Sequence, residues 1–317
     1  MTATGTAQLC GIVVHWHDEG QLRDLVEAWP ADPRVELRIV DNGSTLDLPD
    51  STPVLGGKGN LGFAGAVNRG LETTAAPLIL IMNSDVRPHP GAIESLMRGF
   101  ERWPDAAALA PRLIDIRGAS QCQWQLRPLP GVSTLLMHSL LLPAGQGSPE
   151  EPATGALIEQ PAAAGLAIRR RVLEDLGGLD EQFYPAWFED VDLAKRLQQR
   201  GHAIRYWPEA VFDHKLGSSV PRLGFGRFLR IYYTNLRRYL RKHHGWHWAL
   251  VSRAMLAPAS LIRLILIPIR KPRRATTRRE AAKGLIGLAT NSLTGWPPAV
   301  TDRPPRPSSP RSPAASP

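Results

Sequence analysis

An α/β fold built on a mainly parallel sheet, flanked by helices and followed by a basic helical region, is what this sequence predicts. Three observations predict it. Short apolar runs alternate with helix-length stretches through the first third of the chain, the pattern of βαβ units. Two of those runs end in polar residues, at Asp41 and at Asn83, Ser84 and Asp85, where ligands bind in sheets of this kind. The chain then passes into a strongly basic C-terminal part.

The elements follow in order. Residues 8–16 (QLCGIVVHW) read as a buried strand, and a helix follows near 19–29. Residues 35–41 (VELRIVD) form a second strand with a turn at Asn42, Gly43 and Ser44. A glycine-bearing helix opens over 61–73, a third strand runs over 77–82 (PLILIM), and a helix follows near 90–102. The stretch 117–160 holds Pro128, Pro130, Pro143, Pro149 and Pro152 and reads as loops, with a flap among them. From 162 order returns: a strand (AAAGLAIRR), a short helix, a turn at Gly177 and Gly178, a helix over about 189–199 and a strand over 203–207. Residues 224–243 read as a basic helix. The run 248–268 is apolar but carries Arg253 and Arg263, and Pro258 is expected to kink it. The end, from about 297, is rich in Pro, Ser and Arg and reads as disordered.

The chain has 317 residues, 43% of them apolar, enough to bury a full core. Its net charge of +9 is unevenly spread. Residues 1–217 hold 19 Lys and Arg against 27 Asp and Glu, whereas residues 218–317 hold 19 against 2. A basic end of that strength implies an anionic partner: nucleic acid, lipid headgroups or phosphate. Two cysteines, Cys10 and Cys122, exclude a disulfide framework or a cysteine metal cluster and fit a reducing compartment. The N-terminus lacks a basic flank followed by an apolar run, so no secretory signal is expected.

Five segments carry chemistry, each with a plainer reading beside it. Asp41 could accept hydrogen bonds from a nucleobase or ribose, and also reads as an Asx turn. The small residues of 60–70 (NLGFAGAVNRG) let a ligand approach the backbone, or serve tight helix–sheet packing. Asn83, Ser84 and Asp85 suit a hard divalent cation with room for diphosphate oxygens, or a turn. Glu189, Asp190 and Asp192 follow Trp187 and Phe188 in the first turn of a helix. The helix dipole favours one acid there and accounts less well for three. His214, in Asp213-His214-Lys215 after a strand, could complete a metal site or be structural.

In this order the segments resemble the family 2 inverting glycosyltransferases, especially bacterial rhamnosyltransferase-like members. The residues carrying the resemblance are VDNGST (40–45), NLGFAGAVNRGL (60–71), NSD (83–85), GLAIRRRVLEDLGGLDEQFY (165–184), FEDVDLAKRLQQRGH (188–202) and HKLGSS (214–219). The resemblance covers roughly residues 8–220 and implies a GT-A fold, placed over residues 1–222; the composition beyond it reads as a basic, apolar helical region over 223–296 and a disordered tail over 297–317. It implies an enzyme that moves a sugar, with rhamnose one candidate, from a nucleoside-diphosphate-sugar to a hydroxyl of a lipid-linked or cell-envelope glycan. Asp41, Asn60, Gly62, Asn68 and Asn83 would line the donor side. Asp85 and His214 would bind Mg2+ or Mn2+. Asp190 would be the catalytic base, with Trp187, Glu189 and Asp192 on the acceptor side. Helical spacing points the three acids in different directions, with Asp190 toward the body of the protein and Asp192 near the opposite side. Two departures stand out: His15-Trp16-His17 replaces the usual Thr-Tyr-Asn after the first strand, and Asn83 replaces the first Asp of the Asp-x-Asp metal motif.

Two rivals are a sugar-nucleotide-binding protein without catalysis and a nucleic-acid binder using the basic end. Asp85 and Asp190 argue against the first. The apolar run argues against the second, so no nucleic acid is expected. That run approaches the length of a bilayer span, yet its arginines and proline favour an interfacial helix. Arg237, Arg238, Arg241, Lys242, Arg270, Lys271, Arg273 and Arg274 would then meet an anionic surface. A cytoplasmic protein, peripheral at the inner face of the cell membrane, is the expectation.

Overall fold

The computed structural model describes residues 7–17, 19–43, 46, 52–56, 59–215, 223–269, 271–272 and 274–295. Strand β1 (Leu9–His15), helix α1 (Glu19–Ala28), β2 (Val35–Asp41), β3 (Val54–Leu55), α2 (Gly62–Leu71), β4 (Leu78–Asn83), β5 (Val86–Pro88), α3 (Ala92–Arg102) and β6 (Ala106–Ile114) come first. Then follow α4 (Cys122–Gln125), β7 (Leu126–Arg127), α5 (Val132–Ser139), β8 (Gln160–Pro161), β9 (Gly165–Arg169), α6 (Arg170–Asp175), α7 (Glu189–Gln199) and β10 (Ala203–His214). Three helices close the described chain: α8 (Phe225–His243), α9 (Trp246–Leu266) and α10 (Arg278–Thr294).

The eight-stranded sheet has the order β3-β2-β1-β4-β9-β6-β10-β5. Strands β3, β2, β1 and β4 pair in parallel, as do β6 and β10. Strand β9 runs against both its neighbours, and β5 against β10. The sheet is therefore mixed and mainly parallel, as the sequence predicts. Its strands are apolar on both faces because both faces are covered. Ile12, Val14, Ile79 and Ile81 pack under α2, α6 and α7, while Leu9, Val13, Leu80 and Met82 pack under α1 and α3. Helix α2 comes so close to β1 that a Cβ on Gly70 would lie 2.5 Å from Ile12 Cγ2. A third apolar cluster joins α8, α9 and α10 to α5 and to Phe183, Phe188 and Val191 beside α7.

Two strand readings need correction. Strand β6 lies where the sequence reading placed no element: it is alanine-rich, and Pro111 looks like a breaker. Pro111 sits opposite Trp207, and its carbonyl accepts from Gln125 Nε2 at 2.7 Å. Just beyond that pair the register of β10 slips between Trp207 and Val211. A strand expected to stop at 207, before Pro208, thus resumes and delivers His214 to the end of the sheet. The stretch 117–160 is also more ordered than a run of loops, since it supplies α4, β7 and α5.

The basic flanks divide. Arg238 donates to the carbonyl of Gln182, and Lys242 pairs with Asp180 and Asp192 at 2.7 and 2.6 Å. Both therefore have partners within the protein, although Lys242 stays exposed. Arg270, Arg273, the segment 216–222 and the tail from 296 lie outside the described residues.

Candidate active site

The carboxyl ends of β1, β2, β4 and β10 open into one cavity of about 1880 Å3, which continues past the start of α7 to the C-terminal helices. On the donor side Asn42 organises the wall. Its Oδ1 accepts from Leu61 N at 3.0 Å, and its Nδ2 donates to Gly62 O at 3.2 Å. Asn60 Oδ1 accepts from Gly62 N at 2.8 Å. Gly62 has φ +74, and a Cβ there would meet Tyr184 at 2.8 Å, so the position needs glycine for conformation and for space. Asn42, Asn60, Gly62, Asn83 and Trp16 all line the cavity.

Two residues expected on the donor side are not among its lining residues. Asp41 is buried beside His15, with Nδ1 and Oδ1 3.3 Å apart, and the next residue, Asn42, takes the lining position. Asn68 spends its amide on packing. Its Oδ1 accepts from Leu179 N at 2.9 Å, and its Nδ2 donates to Leu179 O at 2.9 Å and to Glu181 at 3.2 Å. It fastens α2 to the turn at Gly178.

Asp85 and His214 meet inside the cavity, with His214 Nε2 3.6 Å from Asp85 Oδ1. The other ring nitrogen, Nδ1, lies 2.8 Å from Gln121 Oε1, while Gln121 Nε2 donates to the His214 carbonyl at 2.8 Å. Because the amide NH2 is committed to that carbonyl, Oε1 must accept, and the ring carries its proton on Nδ1. Burial pushes the His214 pKa down to about 4, so the ring is neutral at neutral pH. The Nε2 lone pair of a neutral imidazole therefore faces the Asp85 carboxyl group. That arrangement fits a divalent cation, with Gln121 setting the tautomer from the second layer. Among the described residues no third His, Cys, Asp or Glu joins them. Two protein ligands leave coordination positions for diphosphate oxygens, as Mg2+ and Mn2+ sites commonly do.

Across the cavity stands the start of α7. The Asp190 side chain is 16% exposed, with Oδ2 3.3 Å from Gln160 Nε2 and 3.8 Å from Arg127. Glu189 also lines the cavity but is buried, and its Oε2 has no hydrogen-bond partner among the described residues. Burial first, and then the Asp190 charge, push its pKa well above the usual carboxylate range. Trp187 forms part of the wall, its ring 5.0 Å from Phe228.

Asp192 is the third correction. It is fully buried, is absent from the cavity wall, and pairs with Arg196, His243 and Lys242 at 2.7, 2.7 and 2.6 Å. Helical spacing does turn it away from Asp190, but that side of α7 is covered by α8, whose last turn supplies two of the partners. Burial alone would raise its pKa. The His243 hydrogen bond and the Arg196 and Lys242 charges outweigh that and hold it low. A carboxylate held low stabilises the fold above its ordinary value of 3.8, and the contribution is lost as pH falls through the folded pKa. Asp192→Asn is expected to cost about 3 kcal/mol at neutral pH, because it strands buried cations. In thermal unfolding the gap between variant and wild type should narrow toward low pH.

Gln121, Gln160, Arg127 and Trp124 escaped the sequence reading. All come from 117–160, and an isolated Gln or Arg in a proline-rich stretch carries no motif.

The mixed sheet thus brings an Asp–His pair at its strand ends into one cavity with a carboxylate at a helix start. Residues 19–176 match the model of Glycosyl transferase family 2. The chain belongs to that family and is a glycosyltransferase. It is similar to the N-acetylglucosaminyl-diphospho-decaprenol L-rhamnosyltransferase of Mycobacterium tuberculosis, 28% identical over 275 residues, which cover 78% of this chain and 87% of the relative. A pre-mycofactocin glycosyltransferase of the same organism is 28% identical over 184 residues, covering 56% of this chain and 36% of that protein. Among solved structures, a mannosyltransferase from Pyrobaculum calidifontis in complex with GDP-Man and Mn2+ aligns with a TM-score of 0.47 at 14% identity, over 92% of this chain and 88% of that one.

Proposed function

We propose that the chain transfers a sugar, with inversion, from a nucleoside-diphosphate-sugar to a hydroxyl of a lipid-linked glycan acceptor. The observation that carries the proposal is that Asp190 and the Asp85–His214 pair line one cavity from different elements. Inversion needs a base on the acceptor side of the anomeric carbon and charge stabilisation on the leaving diphosphate, but no second carboxylate nucleophile. Asp190 takes the acceptor proton as the hydroxyl oxygen bonds to the anomeric carbon. Gln160 and Arg127 orient its carboxylate. Glu189, whose pKa burial and the Asp190 charge raise, lines the same wall beside the acceptor space. Asp85 and His214 would hold Mg2+ or Mn2+, which supplies Lewis-acid stabilisation of the diphosphate when bound. The similarity to a rhamnosyltransferase acting on a diphospho-decaprenol acceptor supports the lipid-linked reading.

The test is release of nucleoside diphosphate from UDP-, dTDP- and GDP-sugars, with and without glycosyl-diphospho-polyprenol acceptors, and the anomeric configuration of the product. Acceptor-dependent release with inverted configuration is expected. Retained configuration, or release indifferent to every acceptor, overturns the proposal.

A membrane-peripheral position goes with that acceptor. Among the described residues one helix, α9, is long and apolar enough to cross a bilayer. It continues through Pro258, and its arginines turn to protein: Arg253 donates to the carbonyls of Ser292 and Leu293, and Arg263 to that of Leu141. One side thus packs on the helical region, while Leu261, Ile262 and Ile265 on the other are 52%, 59% and 75% exposed. A helix apolar outward and tied inward suits an interface rather than a span. The full chain is expected to float with anionic vesicles, and Leu261→Glu/Ile265→Glu to reduce the floating fraction severalfold. Equal flotation of the two would remove the idea.

A further inference from the structure

Beyond Asp190 the cavity runs on into the C-terminal helical region, and its character changes. Arg227, Arg263, Lys271 and Arg274 line that end. None of the four forms an ion pair among the described residues. Arg263 is taken up by the Leu141 carbonyl, and Lys271 donates to the carbonyls of Ala275 and Thr276, which leaves its charge uncompensated. The one acid lining this end among the described residues, Glu280, accepts from Phe225 N at 2.8 Å and from Thr276 N at 2.7 Å and keeps its negative charge, so four cations stand against one carboxylate and the end is net positive. Uncompensated cations lining a cavity are an anion site.

Position says which anion. The Arg274 guanidinium lies 4.4 Å over the Phe228 ring, and that ring is 5.0 Å from Trp187, two residues before Glu189. An aromatic pair therefore lies between the acids and the cations, one cation-to-ring step of 4.4 Å and one ring-to-ring step of 5.0 Å. A sugar ring resting on that pair would offer a hydroxyl to Asp190 and its anomeric substituent to Arg274. Apolar surface adjoins this end: Leu142, which lines the cavity, is 37% exposed, and Ile269, two residues along the chain from Lys271, is 84% exposed.

We infer that Arg227, Lys271 and Arg274 form the subsite for the diphosphate that links the acceptor sugar to its lipid, with the lipid leaving the cavity beside Leu142 and Ile269. The inference rests on the proposed lipid-linked acceptor and deepens it. Lipid-borne diphosphate, free diphosphate and a nucleoside diphosphate share one chemistry, so the test separates them.

Farnesyl diphosphate is titrated into the full chain by calorimetry, in excess chelator so that no divalent cation holds a diphosphate at Asp85, with farnesol, inorganic pyrophosphate and UDP as comparison ligands. Farnesyl diphosphate is expected to bind at least about tenfold tighter than farnesol or pyrophosphate and to resist competition by UDP. Arg274→Gln/Lys271→Gln should weaken it about tenfold or more, and Arg227→Gln should weaken it independently. Arg279→Gln, exposed on the same helical region but outside this cavity, should leave it unchanged. All four substituted residues are exposed, and circular dichroism checks the fold of each variant. Wild-type affinity in both the double variant and Arg227→Gln overturns the subsite, as does an equal loss in Arg279→Gln, which would mean general attraction. Farnesol or pyrophosphate binding as tightly as farnesyl diphosphate, or displacement by UDP, also overturns it. If the expected binding pattern appears but no acceptor is ever glycosylated, the proposed function fails and the anion subsite stands.

Discussion

Asp190→Asn is expected to lower kcat by about a hundredfold or more while donor and metal binding stay near wild type, the signature of a lost general base. A hundredfold corresponds to about 2.7 kcal/mol of transition-state stabilisation. The substitution keeps size and planarity, removes the charge that takes a proton, and turns one of the two oxygens that accept from Val191 N and Gln160 into a donor. Asparagine can still accept from Gln160 through its Oδ1, so the side chain should stay where the aspartate is. Single-turnover rates and calorimetric donor affinity read the two halves of the expectation. Near-wild-type turnover would mean that the proton goes elsewhere.

The neighbouring acids sharpen that expectation, because the structure gives each a different electrostatic setting. Glu189 is buried, and its pKa is pushed well above the ordinary 4.5, by burial first and the Asp190 charge second. That raised pKa and its burial set it apart from Asp190, whose carboxylate is part-exposed and accepts from Gln160. Glu189→Gln mimics the protonated acid and should keep turnover within about tenfold of wild type. Its stability should carry a matching sign. A carboxyl raised in the fold contributes fully below pH 4.5 and loses that contribution as pH rises toward the folded pKa. Gln carries no such loss, so the thermal stability of Glu189→Gln relative to wild type should improve from acid toward neutral pH. Asp192→Asn should hurt stability and spare chemistry.

Much of this site was legible in the sequence because parallel strands advertise their carboxyl ends. Apolar runs closing on Asp41 and on Asn83 to Asp85 put a ligand edge on the page before any geometry. The family resemblance then added His214 and Asp190, which no local pattern would have linked. The reading failed where tertiary context decides. Asp41 and Asn42 are adjacent, and only the packing of β2 against His15 shows which of them faces the cavity. Asn68 looks like a ligand on a glycine-rich helix until the turn at Gly178 is seen against its amide. Asp192 could not be read as an ion-pair hub while α8 was only a basic helix with no known neighbour. Strand β6 was hidden by Pro111, which is tolerated because β10 bulges just past it. The residues that orient the candidate catalytic groups, Gln121 and Gln160, have no spacing to betray them.

Asp85→Ala is expected to abolish transfer, His214→Ala to weaken it, and both to lose Mn2+- or Mg2+-dependent donor binding. The order follows from charge. Asn83 is neutral and His214, with a pKa near 4, is a neutral ligand at pH 7. Asp85 therefore supplies the only formal negative charge that the Asn83–Asp85 motif offers a divalent cation, and a hard cation depends on charged oxygen more than on imidazole. His214 contributes one directed lone pair, fixed by the Gln121 bond. Its loss should weaken metal affinity by about ten- to a hundredfold, the range found when metal-site supports are removed, while Asp85 remains. Donor calorimetry with and without chelator, together with Mn2+ binding followed by paramagnetic resonance on the free protein, separates metal affinity from turnover. Full transfer by the wild type in excess chelator would remove the metal from the reaction altogether. In that outcome Asp85 and His214 would have to act on the donor directly, and the neutral imidazole would be left accepting a hydrogen bond from the sugar or ribose rather than holding a cation.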